Sequence, residues 1–311
     1  MQKDMAYFLG LLIGGGTITQ DAISIEFPYK GWDREDYRIP PKWFNDSVTK
    51  IVPLIKNLLN ANAAPRCVTD HTPRYYIDIN PIPNLLYEML REYGIRPLGQ
   101  LRRQASISKL VLKMDESCQR KFVSGLADVI GSCRPTHRHR TLESAIVSFE
   151  IIGKNWKLPF ELCQLLYGLK VPVNQIEWNH PNMHAGSDSK GYWKKGHKVR
   201  VRAGDFEKIG YGMDCKRGGL EKLLRIEKQK RGSIRRGELC PNRRYNINRV
   251  KVVHQDENSS DLPKQVRGHF IHFTHICYAL GCPHAPVSWL KEKMPKYMPR
   301  GMQSRALTNF A

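Results

Sequence analysis

The stretch Phe122-Val123-Ser124-Gly125-Leu126-Ala127-Asp128-Val129-Ile130-Gly131-Ser132 decides how this chain reads. It is an apolar run that carries a small residue inside and closes on glycine and a small hydroxyl residue. Near the N-terminus, Phe8-Leu9-Gly10-Leu11-Leu12-Ile13-Gly14-Gly15-Gly16-Thr17 has the same make-up. As helices, both would present glycine on one face: Gly10 and Gly14 are four apart and share a side. Glycine costs about 1 kcal/mol in a helix interior, so close approach of another backbone has to offset it. Gly16 and Gly131 read as C-terminal caps, expected in the left-handed conformation.

Working outward from the first run, Thr17 to Phe27 reads as extended, with Ile23, Ile25 and Phe27 alternating against Ser24 and Glu26. Residues 43–60 show helical spacing, with Pro53 expected to kink or restart the helix. Arg66 to Asp70 and Arg74 to Ile79 read as strands joined near Thr72-Pro73, and Asn84 to Tyr93 as a helix ending at Gly94. Ahead of the second run, Asp115 is the expected N-cap, with Gln119 supporting the first turn. Beyond it, Ala145 to Ile152 reads as a strand and Leu158 to Leu169 as a helix with Pro159 in its first turn. Val171 to Trp178 and Lys198 to Ala203 read as strands, and Gly219 to Lys230 as a helix. Both halves share the order helix, strand, helix, strand, strand, helix, which suggests a duplicated domain.

The two runs and this repeated order resemble the single-chain LAGLIDADG homing endonucleases. The resemblance implies an α+β fold of two pseudo-symmetric αββαββα repeats, with the two glycine-bearing helices side by side at a pseudo-twofold axis. It divides the chain into a first repeat (1–94), a linker (95–113), a second repeat (114–230) and a basic, Cys/His-containing C-terminal extension (231–311). Gly10, Gly14, Gly15, Gly125, Ile130 and Gly131 are then the helix-interface motif. In that family an acid at each helix end holds metal ions for DNA cleavage, and those positions fall here on Gly15 and Ile130, which offer no carboxylate. Asp128 lies two residues before Ile130 and is turned about 200° around the helix, so capping or pairing with a basic neighbour is its simpler role. Glu26 and Glu150 occupy similar places in the two repeats, and with Asp21, Glu143 and Asp128 they are the remaining candidates for metal-holding acids. Gly14-Gly15-Gly16 is no phosphate-binding loop, because it ends a helix and lacks the Gly-Lys-Ser/Thr continuation.

Composition points to the partner. The chain has 311 residues, 41% hydrophobic and 25% charged, and a formal charge of +21. Between Lys190 and Lys251, 20 Lys and Arg stand against 6 Asp and Glu, so this stretch holds +14 of the total. Charge so concentrated favours a polyanion. A membrane surface is the weaker choice, because the stretch has no amphipathic helix with a bulky apolar face. No apolar run nears the roughly 20 residues needed to span a bilayer, and Lys3 and Asp4 interrupt the start of any signal peptide, so an intracellular protein is expected. The resemblance implies duplex DNA lying on a positive saddle formed by two sheets, read by one chain acting as a pseudo-dimer. The residues placed on that surface are Arg134, Arg138, Arg140, Lys194, Lys195, Lys198, Arg200, Arg202, Arg235, Arg236, Arg243 and Arg244. Two functions stay open. One is a nuclease-derived binder of DNA, or of RNA as in an intron maturase; the other is a divergent Mg²⁺-dependent endonuclease with non-standard acids. At the C-terminal end Cys240, Cys277, Cys282 and His284, with His275 as substitute, have the ligand types of a structural zinc site. Buried thiols and surface histidines are the alternative, and His269 to Phe273 suits a strand.

Overall fold

In the computed structural model the described residues are 3–28, 42–68, 74–92, 99–101, 106–107, 109–133, 145–152, 155, 157–171, 173–181, 195–233, 252–253 and 270–274. The first repeat runs α1 (Lys3–Gly15), β1 (Gly16–Ile18), β2 (Ile23–Pro28), α2 (Lys42–Thr49), α3 (Ile51–Leu59), β3 (Ala63–Val68), β4 (Arg74–Ile79) and α4 (Asn84–Glu92). Between the repeats lie β5 (Gly99–Gln100) and α5 (Lys109–Lys113). The second repeat runs α6 (Glu116–Ile130), β6 (Gly131–Ser132), β7 (Ile146–Ile152), α7 (Lys157–Gly168), β8 (Val173–Pro181), β9 (Lys195–Arg202), α8 (Ala203–Phe206) and α9 (Asp214–Ser233), followed by β10 (Val252–Val253) and β11 (Phe270–Thr274). The fold is α+β with antiparallel sheets, and the order αββαββα occurs twice, the middle helix of the first repeat being split into α2 and α3.

The first compact unit gathers Met1–Pro135 with Phe206–Arg225. Its sheet has the order β3-β4-β2-β1-β5. Strict alternation puts Ile23, Ile25 and Phe27 of β2 and Tyr75, Ile77 and Ile79 of β4 on one face, where α1, α2 and α6 cover them and α3 covers β3. Thr17 to Phe27 is not one strand but a hairpin. Thr19 turns the chain by donating its backbone N–H and its hydroxyl to the Ala22 carbonyl, while its Oγ1 accepts from the Ala22 N–H. The predicted 43–60 helix restarts at Ile51, which moves Pro53 into a first turn, where its missing N–H is no loss. The linker is also built in: β5 pairs with β1 through Thr17↔Gln100 and Ile18↔Gly99. The compact units cut across the repeat boundaries at 94 and 114, because the second motif helix packs against the first and joins its unit.

The second compact unit gathers Thr136–Asp205 with Ile226–Ala311. Its strands follow the order β10-β11-β8-β9-β7. Val147, Phe149 and Ile151 of β7 and Val199 and Val201 of β9 point into a core shared with Leu162, Leu165 and Leu166 of α7. The α7 start is fixed by Asn155, whose Oδ1 accepts from the Leu158 N–H at 3.1 Å. Part of the C-terminal extension belongs to this sheet. β11 pairs with β8 from Ile271↔Trp178 to Thr274↔Gln175, so 231–311 is not wholly an appendage.

Candidate functional site

The site begins where α1 and α6 meet. A Cβ on Gly10 would fall on the Phe122 carbonyl and the Leu126 nitrogen; one on Gly125 would fall on the Tyr7 carbonyl and, at 3.1 Å, the Leu11 nitrogen. The two glycines are each other's counterpart across the seam, and only hydrogen fits at either. One turn on, Gly14 faces the Val129 side chain and Gly15 the Glu26 carbonyl and Val129. Ile130 ends α6 half-buried. Gly131 is the C-cap of α6 as expected, its N–H donating to the Ala127 carbonyl, but the left-handed conformation expected of it and the cap expected of Gly16 are corrected. Gly16 opens β1, and Gly131 has φ −79° and ψ 147°, so each helix passes straight into a strand. Glycine is needed there because a Cβ would strike the carbonyl four residues back, at Leu12 or Ala127. The α6 start has Asp115 as N-cap, Oδ1 accepting from the Cys118 N–H at 2.9 Å. Gln119 closes that turn through its backbone N–H, which donates to the Asp115 carbonyl at 3.0 Å, while its side-chain amide reaches back to the Leu112 carbonyl at 2.8 Å.

Asp128 does not reach toward a metal. It is 1% exposed, and its Oδ2 accepts from Tyr7 Oη at 2.6 Å and from the Gly212 and Met213 N–H groups at 2.9 and 3.1 Å. Burial raises its pKa to about 6, against the opposing pull of Lys216 and these hydrogen bonds. Lys216 is itself buried, and its Nζ donates to the Ala127 carbonyl at 3.0 Å and the Gly131 carbonyl at 2.8 Å. The nitrogen also sits 5.7 Å from the centre of the Tyr211 ring. Neither Tyr7 nor Lys216 stood out in the sequence. Tyr7 is 121 positions from its partner, and Lys216 lies in a long basic stretch that reads as solvated.

The remaining acids are dispersed. Asp21 is exposed at the tip of the β1–β2 hairpin, about 10 Å of strand from the helix end. Glu26 is half-buried on the sheet face opposite the helices, in register with Tyr76. Glu150 occupies the corresponding face of the second sheet, in register with Lys198. Glu143 lies outside the described residues. The Mg²⁺ that the resemblance implies needs converging oxygen ligands. The described helix ends offer glycine, isoleucine and an ammonium group instead, and no three His, Cys, Asp or Glu side chains cluster among the described residues. They do not fit such an ion.

The helix-free faces of the two sheets are where polar side chains collect. On the first, Arg66 donates to Asp78 at 2.5 Å and 3.2 Å, Ser24 donates to the same carboxylate, and the guanidinium lies 4.4 Å over the Tyr76 ring. Burial opposes ionisation of Asp78, but Arg66 and Ser24 outweigh it and hold the pKa below the ordinary value. Arg74 is drawn to Tyr76 and Glu26 on the same face. Among the described residues of this face two arginines therefore meet two acids. Arg66, Arg74, Tyr76 and Asp78 were missed as candidates, although the alternation of Arg74 to Ile79 contained the signal. On the second sheet Lys198, Arg200 and Arg202 are half-exposed and alternate with buried His197, Val199 and Val201. Lys195 opens the same strand. Arg134, Arg138, Arg140, Lys194, Arg235, Arg236, Arg243 and Arg244 lie outside the described residues, as do Cys240, Cys277, Cys282 and His284.

No protein-family model matches the sequence, and a search of curated proteins finds no relative. Among solved structures the chain is similar to the homing endonuclease I-DmoI. A structure of its mesophilic variants is 17% identical over 67% of this chain and 92% of that one, with a TM-score of 0.37. A structure of I-DmoI with DNA and Ca is 18% identical over 67% and 86%, with a TM-score of 0.36. Full-length DUF199/WhiA from Thermatoga maritima is 13% identical over 99% of this chain and 81% of that one, with a TM-score of 0.43. No helix among the described residues is long and apolar enough to cross a membrane.

Proposed function

We propose that the chain is a divergent member of the LAGLIDADG group that binds duplex DNA on the helix-free faces of its sheets and does not cut it. The observation that supports this reading most directly is β9. Lys198, Arg200 and Arg202 share one face of a strand whose other face is buried, so three cations stand in a row at the two-residue spacing of a strand. Such a row serves phosphate contacts, which fix register and supply most of the affinity. Arg66 and Arg74 serve base edges better, since each is already oriented by a neighbouring acid and Tyr76. Two unlike halves in one chain suit a non-palindromic site read by a monomer. Gly15 and Ile130 offer no carboxylate and Asp128 is buried against Tyr7, Gly212 and Met213, which supports binding without hydrolysis. A structural zinc at Cys240, Cys277, Cys282 and His284 belongs to the same proposal, and metal analysis of the purified protein checks it.

The test is binding to a duplex library over a range of salt, followed by incubation with supercoiled plasmids and Mg²⁺ or Mn²⁺. Salt-sensitive binding without discrete cuts is the expected result. Replacing Lys198, Arg200 and Arg202 with glutamine should lower the magnitude of the log K against log salt slope by about 3, since each phosphate left without its cation removes about 0.9. Discrete cuts that vanish in Glu26→Gln or Glu150→Gln would establish the endonuclease reading instead. Tighter binding to structured RNA than to duplex would move the partner to RNA.

A further inference from the structure

The C-terminal end of α6 carries its own cation. The last carbonyls of a helix hold roughly half a negative charge. Here they also sit beside a buried carboxylate, Asp128, whose other oxygen, Oδ1, has no hydrogen-bond partner among the described residues. Two sources of negative potential thus meet in the interior, at the point where the sheet begins. Lys216 answers both: one ammonium bridges the Ala127 and Gly131 carbonyls and attracts Asp128. It comes from the first turn of α9, and Gly212 and Met213, just upstream, donate to Asp128. The segment that delivers the cation is therefore anchored by the anion. A Cβ on Gly212 would press on Tyr7 and Asp128, so the approach depends on glycine there too. Lys216 also lines a pocket with Pro28, Trp43, Phe44, Ser132 and Cys215.

The geometry points to Lys216 as a permanent counter-ion of the α6 terminus, one that does the charge balancing a bound divalent ion would otherwise do and leaves that end with no affinity for one. The inference rests on the helix end alone and stands whether or not the chain binds DNA. Melting temperatures of the wild type, Lys216→Met, Asp128→Asn and the double variant, each with and without Ca²⁺, test it. Lys216→Met should melt lower by on the order of 10 °C, because it strands a buried charge. Lys216→Met/Asp128→Asn should regain at least half of that loss, since the charge goes with its counter-charge. Ca²⁺, which takes carboxylate and carbonyl oxygens, should raise the melting temperature of Lys216→Met alone. The inference is overturned if the double variant melts no higher than Lys216→Met, if Ca²⁺ leaves Lys216→Met untouched, or if Ca²⁺ stabilises the wild type. Should Lys216→Met not fold, the double variant decides: folding near the wild-type temperature supports the counter-ion, and failure to fold overturns it.

Discussion

Asp128 shows how a single carboxyl can have its partners and still be held against its preference. Three donors converge on Oδ2 and Lys216 attracts it, but complete burial prevails and the pKa stands at about 6 against an ordinary 3.8. A raised acid binds its proton more tightly in the folded state, so the stability it contributes is full below about pH 3.8 and is lost as the pH rises to about 6. The difference amounts to about 3 kcal/mol at most. Urea unfolding of the wild type and Asp128→Asn across that range should therefore show the wild type gaining on the variant as the pH falls. Parallel curves would mean that Asp128 does not titrate there. Tyr7, Tyr211 and Lys216 face the same carboxyl. Of this cluster the sequence made only Asp128 legible, through its two-residue offset from Ile130. The hydrogen bonds that define its role join residues more than eighty positions apart, and no local pattern encodes those.

At the scale of elements, the glycines separate into two kinds with opposite predicted effects. Gly10→Ala or Gly125→Ala puts a methyl group against a backbone carbonyl that cannot move without its helix, and each should cost about 3 kcal/mol or more. Gly218, inside α9, has open space where a Cβ would stand, and Gly218→Ala should gain about 0.5–1 kcal/mol from helix propensity. Chemical denaturation of the three variants checks both signs. The order of helices and strands was readable because amphipathic periods of two and 3.6 survive in nearly every element. The β1–β2 turn was not, because Thr19 to Ala22 contains neither glycine nor proline and closes by a threonine hydroxyl instead. The place of β11 beside β8 was unreadable for another reason: pairing between strands about a hundred residues apart leaves no trace in local spacing.

For the whole molecule, the net charge of +21 predicts a polyanion partner but not where it lies. On the first sheet Arg66 and Arg74 are oriented by acids and Tyr76, while on β9 of the second Lys198, Arg200 and Arg202 share one half-exposed face, with Glu150 in register with Lys198. The two halves should then contribute unequally, the first more to base selectivity and the second more to salt-dependent affinity. Footprinting of a selected site should show one asymmetric protected region. Arg66→Ala should relax sequence preference on one side of it by about 1–3 kcal/mol, with little change in salt slope. Duplex binding should also need no Mg²⁺ and persist in EDTA, as measured by fluorescence anisotropy.

The passage from α1 into β1, and from α6 into β6, has no intervening residue. Such a joint has no slack. Inserting one amino acid between Gly15 and Gly16 would turn the following strand over and exchange its buried and outward-facing side chains. A strand three residues long, already paired on both edges with β2 and β5, could not recover by sliding. Insertional scanning should find this junction as intolerant as the helix seam itself, in a part of the chain where loops are ordinarily the forgiving element.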